Sequence, residues 1–186
     1  NDRHPLDLAQ LFVREVDLVE DRVRRLERDP AEQRVALVAG AAPSLIPIAL
    51  NVHGTRVVQK MLEAADTDEQ LDTLIGALTA RVMDLVLDMN GNHVVQRCLA
   101  SLSSERASFI YESVKAECVR VSTHRHGCCV LQRCLDHAPE SYREPIIGNV
   151  VASARKLVLD PFGNYVVQYV LELRRPELTR GIGQAL

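Results

Sequence analysis

Residues 88–100 read DMNGNHVVQRCLA, and the same layout returns at 51–63 (NVHGTRVVQKMLE), 124–136 (HRHGCCVLQRCLD) and 160–172 (DPFGNYVVQYVLE). The aligned glycines are Gly54, Gly91, Gly127 and Gly163, spaced by 37, 36 and 36 residues. Each is followed by two variable positions, two aliphatics, a glutamine, one further residue and an apolar pair. Four in-phase copies of so specific a pattern define a repeat protein. Repeats of this length cannot each bury a core alone, so they stack on one another as a solenoid.

The segments between the copies carry helical periodicity. TDEQLDTLIGALTA (67–80) opens with Thr, has a Glu two residues on, and spaces Leu71, Leu74, Ile75 and Leu78 along one face. SSERASFIYESVKAE (103–117) reads the same way, and so does SYREPIIGNVVASA (141–154) provided that Pro145 falls in a first turn. Pro161 disfavours helix at Asp160, so the glycine-headed helix starts afresh there. Repetition predicts equal breaks near Asn51, Asp88 and His124. No stretch alternates with period two between hairpin turns, and the fold class is therefore all-α. Each repeat is predicted as a helix, a short second helix such as 82–87, a turn and the glycine-headed helix. The repeats fall at 31–66, 67–103, 104–139 and 140–175. Residues 1–30 lack the signature, and LVEDRVRRLERD (18–29) reads as a cap or a degenerate half-repeat. PELTRGIGQAL (176–186) reads as the first helix of a further, truncated repeat, which predicts a longer array.

Composition narrows the function classes. A net charge of −3 gives no field for non-specific polyanion binding, and 4% aromatics with no Trp argue against a general stacking platform. NDRHPLDLAQ (1–10) has no signal layout and no apolar run is long enough for a bilayer, so no membrane association is predicted. Five cysteines, an odd number, point to reduced thiols and a cytoplasmic setting, with the nucleus or nucleolus as alternatives. HRHGCCVLQRCLDHA (124–138) crowds three histidines with three cysteines. Sister repeats place Asp88, Asn90 and Asn92, or Asp160, Phe162 and Asn164, at the aligned positions, so the fold requires no metal there and no cofactor is predicted. Cys98 and Cys134 align with Met61 and Val170 and read as core thiols. Asp84 and Asp88 read as caps or solvated charges. No nucleophile–base arrangement or phosphate loop is evident, so the chain is not read as an enzyme.

On a wheel at about 100° per residue, Gln96 falls about 40° from Asn92, with His93 beside them and the aliphatics opposite. The same geometry holds for Thr55, Arg56 and Gln59, for Cys128, Cys129 and Gln132, and for Asn164, Tyr165 and Gln168. Helix propensity does not ask for Gln over Glu or Lys four times in register. Asn at a helix start is explained as a cap. Asn with a Gln one turn later is also a planar donor and acceptor set suited to a base edge. Arg56, His93 and Tyr165 are flat groups suited to stacking. The bland reading of the glutamines is hydrogen bonding between repeats that fixes their register.

Gly-Asn-His-Val-Val-Gln at 91–96 and Gly-Asn-Tyr-Val-Val-Gln at 163–168, set in all-α repeats of this length, resemble the Pumilio (PUF) RNA-binding repeats over about 31–175. The resemblance implies a right-handed α-solenoid of three-helix repeats that reads single-stranded RNA, one base per repeat. It implies base-edge contacts by Thr55, Gln59, Asn92, Gln96, Cys128, Gln132, Asn164 and Gln168, with stacking by Arg56, His93, Cys129 and Tyr165. Asn with Gln then reads U, Cys or Ser with Gln reads A, Thr55 with Gln59 is assigned to A although Thr stands where Ser or Cys is usual, and antiparallel binding gives 5′-UAUA-3′. Cys129 is not flat, so the third slot is expected to grip most weakly. The resemblance further implies sites in mRNA 3′ untranslated regions, translational repression or destabilisation of the message, and regulatory proteins on the convex face. Lys60, Arg97 and Arg133 are expected to form a local basic strip, with acidic residues on the outer helices. The rival reading is a HEAT- or armadillo-like protein scaffold without RNA readout.

Overall fold

The computed structural model describes residues 38–186. The stretch 18–29, read above as a cap or half-repeat, lies outside the described residues. The chain divides into two compact bodies, one reaching to Leu78 and the other running from Thr79 to Leu186.

The first body contains a 3-10 turn at Ala42–Ser44, α1 (Leu45–Leu50), α2 (Gly54–Ala64) and nearly all of α3 (Asp68–Thr79). Its apolar interior is built from Leu45, Ile48, Val58, Met61, Leu74 and Leu78, each at most 2% exposed. The start of α3 is fixed by Thr67, whose hydroxyl accepts from the Gln70 N–H at 3.3 Å, while Gln70 Oε1 accepts from the Asp66 N–H at 3.1 Å. The partner of Thr67 is thus Gln70, three residues on, rather than the nearer Glu69, and the Gln70 side chain reaches back one residue past Thr67, to Asp66, in a variant of the capping box.

The second body holds α4 (Val82–Leu87), α5 (Gly91–Ser101), α6 (Ser108–Ala116), α7 (Cys118–Ser122), α8 (Gly127–His137), α9 (Glu140–Ala152), α10 (Ala154–Val158), α11 (Gly163–Glu172) and α12 (Pro176–Ala185). No strand occurs among the described residues. The glycine-headed helices pack in sequence, α5 on α8 and α8 on α11. A second row packs α6 on α9 and α9 on α12. The short helices connect the two rows. This is an α-solenoid of repeated helical units, driven by the paired aliphatics of the motif: Val94, Val95, Val130, Leu131, Val166 and Val167 are 0–3% exposed. Burying one such side chain contributes about 1.5–3 kcal/mol, which a repeat standing alone would forfeit. Cys98 and Cys134 lie in this core at 1% and 0% exposure, beside which all five cysteines are free thiols. Two polar links also cross between repeats, Asn149 Nδ2 donating to the Lys115 carbonyl at 3.0 Å and the Tyr169 hydroxyl bonding Asp136, while Arg175 pairs with Glu144 at 2.6 Å between the two ends of the 140–175 repeat. The Tyr111 ring, buried beneath α9, meets Tyr142 at 5.3 Å.

Two helices differ from the sequence reading. Residues 104–107 form turns, because Ser103 spends its hydroxyl on the Arg106 N–H at 3.3 Å, so α6 starts only at Ser108. Helix α9 begins at Glu140 and carries Pro145 in its second turn, beyond the first turn that was required of it. The Pro removes an N–H from the ladder. The abandoned acceptor belongs to exposed Ser141, where water can satisfy it, and buried Ile146 and Ile147 anchor the helix just beyond.

The predicted breaks fall where expected, and a side chain secures each. Asn51 Oδ1 accepts from the N–H groups of His53 and Gly54 at 2.8 and 3.1 Å. Asp88 Oδ1 accepts from Asn90 and Gly91, both at 2.7 Å, and Asp160 Oδ1 from Phe162 and Gly163, both at 2.8 Å. In the third repeat His124 Nδ1 takes this place, with longer bonds of 3.3 and 3.4 Å to the N–H groups of His126 and Gly127. A carboxylate both accepts more strongly and complements the positive helix start. His124→Asp is expected to stabilise the protein by about 0.5–1 kcal/mol, raising Tm by about 2 °C. An unchanged or lower melting temperature in thermal denaturation would mean that imidazole caps this turn as well as carboxylate does.

Each leading glycine sits where its helix touches the short helix before it. A Cβ on Gly127 would lie 2.5 Å from the Val121 carbonyl oxygen, and one on Gly54 would lie 2.3 Å from that of Ile48. No glycine has a positive φ among the described residues, so proximity rather than backbone freedom selects the residue.

Candidate nucleic-acid interface

The glycine contact brings the start of each long helix against the preceding turn, and that position buries the first member of each predicted base-edge pair. Thr55, Asn92 and Cys128 are 6%, 4% and 5% exposed, and Asn164 is half-buried. The wheel places them at the edge of the polar face; the turn that packs over the helix start covers most of that edge. Gln59, Gln96 and Gln132 are half-buried and Gln168 is exposed. Arg56, His93, Cys129 and Tyr165 are all exposed.

In three of the four pairs the members are bonded to one another. Gln96 Nε2 donates to Asn92 Oδ1 at 2.9 Å and Gln168 Nε2 to Asn164 Oδ1 at 3.2 Å. Gln59 Nε2 donates to the Thr55 carbonyl at 3.2 Å and lies 3.5 Å from its hydroxyl. These bonds stay within one helix and do not link repeats. Asn92 is anchored in turn by donating from Nδ2 to the carbonyls of Asp88 and Met89, both at 2.8 Å, and Asn164 does likewise to Asp160. Asn92 therefore orients Gln96 and does not cap the helix; the cap is Asp88.

Within the second body a groove of about 730 Å3 runs over the long helices. Met89, Asn92, His93 and Gln96 form one wall, and His126, Cys129, Gln132, Arg133 and Asp136 form the other, with Tyr169 at one end. The second and third predicted slots thus share one cavity. Cys128 does not line it; its thiol donates toward the Arg125 carbonyl at 3.5 Å and lies 4.0 Å from the Cys129 sulfur. Asn164, Tyr165 and Gln168 lie outside this groove. Asp136 and Tyr169 were not singled out from sequence, and His126 was weighed there only as a member of the histidine–cysteine cluster, not as part of the interface. His126 has the one visible signal, an aromatic three residues before Cys129 and so on the same helical stripe.

The electrostatics are muted. Burial, with the neighbouring Cys129 second, pushes the Cys128 thiol up to about 11, so the third slot presents a neutral S–H at neutral pH. Burial pushes the Cys98 thiol up to about 12, against a smaller lowering by a backbone hydrogen bond. Burial and the nearby charges of Arg125 and His124 hold the His126 imidazolium below its ordinary range. The expected basic strip is partly neutralised, because Lys60 pairs with Glu63 at 2.7 Å and Arg133 with Asp136 at 3.6 Å. Acidic residues are thus not confined to the outer helices: Glu63 and Asp136 lie on glycine-headed helices. Among the described residues no three His, Cys, Asp or Glu side chains converge as a metal site, and no helix is long and apolar enough to cross a membrane.

Comparison with known proteins places this geometry. The model of the Pumilio-family RNA binding repeat matches residues 45–79, 81–114, 117–151 and 155–182. A Pumilio domain-containing protein of Schizosaccharomyces pombe is 45% identical over 150 residues, covering 81% of this chain and 22% of that protein. Pumilio homolog 12 of Arabidopsis thaliana is 40% identical over 157 residues, covering 84% of this chain and 26% of its own length. Among solved structures, the Puf4 RNA binding domain bound to the HO endonuclease RNA 3′ UTR recognition sequence superposes with a TM-score of 0.81 at 40% identity, over 90% of this chain and 52% of that one. The chain therefore spans about a quarter of these curated relatives and about half of that solved domain.

Proposed function

Because this chain belongs to the Pumilio family of RNA-binding repeat proteins, we propose that its glycine-headed helices read single-stranded RNA one base at a time, with the core site 5′-UAUA-3′. The observation that carries this reading is the bonded Asn–Gln pair at one helix start, flanked by an exposed flat side chain and facing a groove. An amide offers two N–H donors and one acceptor. With one donor given to Asn92, Gln96 keeps a donor and an acceptor side by side, the complement of a uracil carbonyl next to its N3–H. Asn164 and Gln168 repeat the arrangement. Thr55 and Cys128 are small side chains before Gln59 and Gln132, and these slots are assigned to adenine. His93, Tyr165 and Arg56 stack on the bases.

In this reading the chain acts on messages through sites in their 3′ untranslated regions, lowers their translation or stability, works in the cytoplasm, and carries regulatory proteins on its convex face. The repeats are taken as 31–66, 67–103, 104–139 and 140–175.

Binding should be measured by fluorescence anisotropy with short RNAs containing UAUA and each single-base variant. The expected result is a preference of about 10-fold or more for the intact site, since a mismatched base costs about 1–3 kcal/mol. With Lys60 and Arg133 partly neutralised, few phosphate contacts contribute. A plot of log affinity against log salt should slope no more steeply than about −2. Equal affinity for all variants would sink the base-reading model and favour a protein-binding scaffold. A steep slope would show that phosphates, not bases, supply the affinity.

A further inference from the structure

The third slot lacks a flat group on its reading helix, since Cys129 stands where the other repeats have Arg56, His93 and Tyr165. Sulfur on a single Cβ has no π face to cover a base. The groove nevertheless continues past this point, and its wall there is a stripe of His126, Cys129, Arg133 and Asp136, spaced three, four and three residues apart. We propose that His126 supplies the missing flat face, stacking on the base that Cys128 and Gln132 read; the proposal rests on the RNA-binding function above.

Several observations position the ring for this. His126 lies one turn before Cys129 on the stripe, so its side chain and that of Cys129 are neighbours. Its backbone is tied by the 3.3 Å bond from its N–H to His124 Nδ1, and its ring is tilted against the His124 ring at 5.8 Å. It is half-buried, whereas His53 at the same place in the first repeat is exposed, and Asn90 in the second does not line the groove. The charges it feels include Asp88 and His93 of the preceding repeat as well as Arg125 and His124 of its own. The ring therefore stands between the second and third slots and is held in the neutral form, in which an imidazole stacks as an aromatic. The third repeat thus recovers from the turn what its helix omits.

The test uses the intact chain and two RNAs, one with adenine opposite Cys128 and Gln132 and one with an abasic site there, each titrated by anisotropy. His126→Ala is expected to weaken binding of the adenine RNA about fivefold, the lower end of the range for base–aromatic stacking, and to leave the abasic RNA unchanged. His126→Phe keeps a flat ring and should bind within about twofold of the wild type. Cys129→Tyr restores the usual group, so adding His126→Ala to it should cost less than about twofold, a non-additivity that a folding defect would not produce. Loss on both RNAs alike, or on neither, overturns the role of His126; if preference for uracil opposite Asn92 and Gln96 persists, RNA reading survives. If the wild type shows no preference at any position, the reading itself fails.

Discussion

Gly127→Ala should lower the stability of the protein by about 2–3 kcal/mol, a fall in Tm of about 5–10 °C, although alanine is the better helix former. The added Cβ would stand 2.5 Å from the Val121 carbonyl oxygen and 3.2 Å from Leu87 Cδ2. The first obstacle is backbone of α7 and cannot swing aside, so α8 must lift from the short helix beneath it and open the apolar contact behind. Overpacking of this kind costs more than the roughly 0.5–1 kcal/mol that replacing glycine returns in helix propensity. Gly148→Ala is the matched control. It lies exposed within α9 with no atom within 4 Å of its added Cβ, and should gain about 0.5–1 kcal/mol. Thermal or urea denaturation of both variants decides the matter; two stabilised proteins would show that the close approach yields at little cost.

Asn92→Ser together with Gln96→Glu should move the preferred base opposite the second repeat from uracil to guanine, by about 10–100-fold in relative affinity, leaving the other positions unchanged. Glutamate turns the outward edge into two acceptors. Guanine presents two donors there, N1–H and the exocyclic amine, whereas uracil presents one donor, N3–H, beside carbonyl oxygens that the carboxylate repels. A well-formed bidentate contact is worth about 1–3 kcal/mol of discrimination, and tenfold corresponds to about 1.4 kcal/mol. Serine removes the Asn92 amide that now holds Gln96 through its 2.9 Å bond. Competition titrations with all four bases at that position are the readout. An unmoved preference, in a variant whose affinity for matched RNA at other positions is intact, would show that this pair is not the reading edge.

Much of this architecture is legible in the chain because repetition converts weak local signals into strong ones. One G-x-x-V-V-Q says little; four at constant spacing fix the register, the buried aliphatic pair and the break before each glycine. What stayed hidden depends on distances between segments. Nothing local tells that Gly54 or Gly127 is a glycine because a carbonyl lies against it. Asn92 has the look of a cap and Asp88 reads equally as a cap or a solvated charge; the fold decides between them, with Asp88 holding that post while Asn92 steers Gln96. Pro145 in the second turn of α9 is tolerated because the carbonyl it orphans belongs to the exposed residue Ser141, a fact of burial rather than of propensity. The muting of Lys60 and Arg133 needs the carboxylates three residues on, which a count of basic residues overlooks.

The links that cross between repeats from Thr79 onward have a thermodynamic meaning of their own. Asn149 to Lys115 and Tyr169 to Asp136 each tie one repeat to its neighbour, on top of the apolar contacts of the two rows. In a linear array such ties act as nearest-neighbour coupling, and a repeat that cannot bury a core alone borrows its stability from the adjacent ones. Residues 79–186 should therefore melt in one cooperative transition, and the slots built on α5, α8 and α11 exist together or not at all.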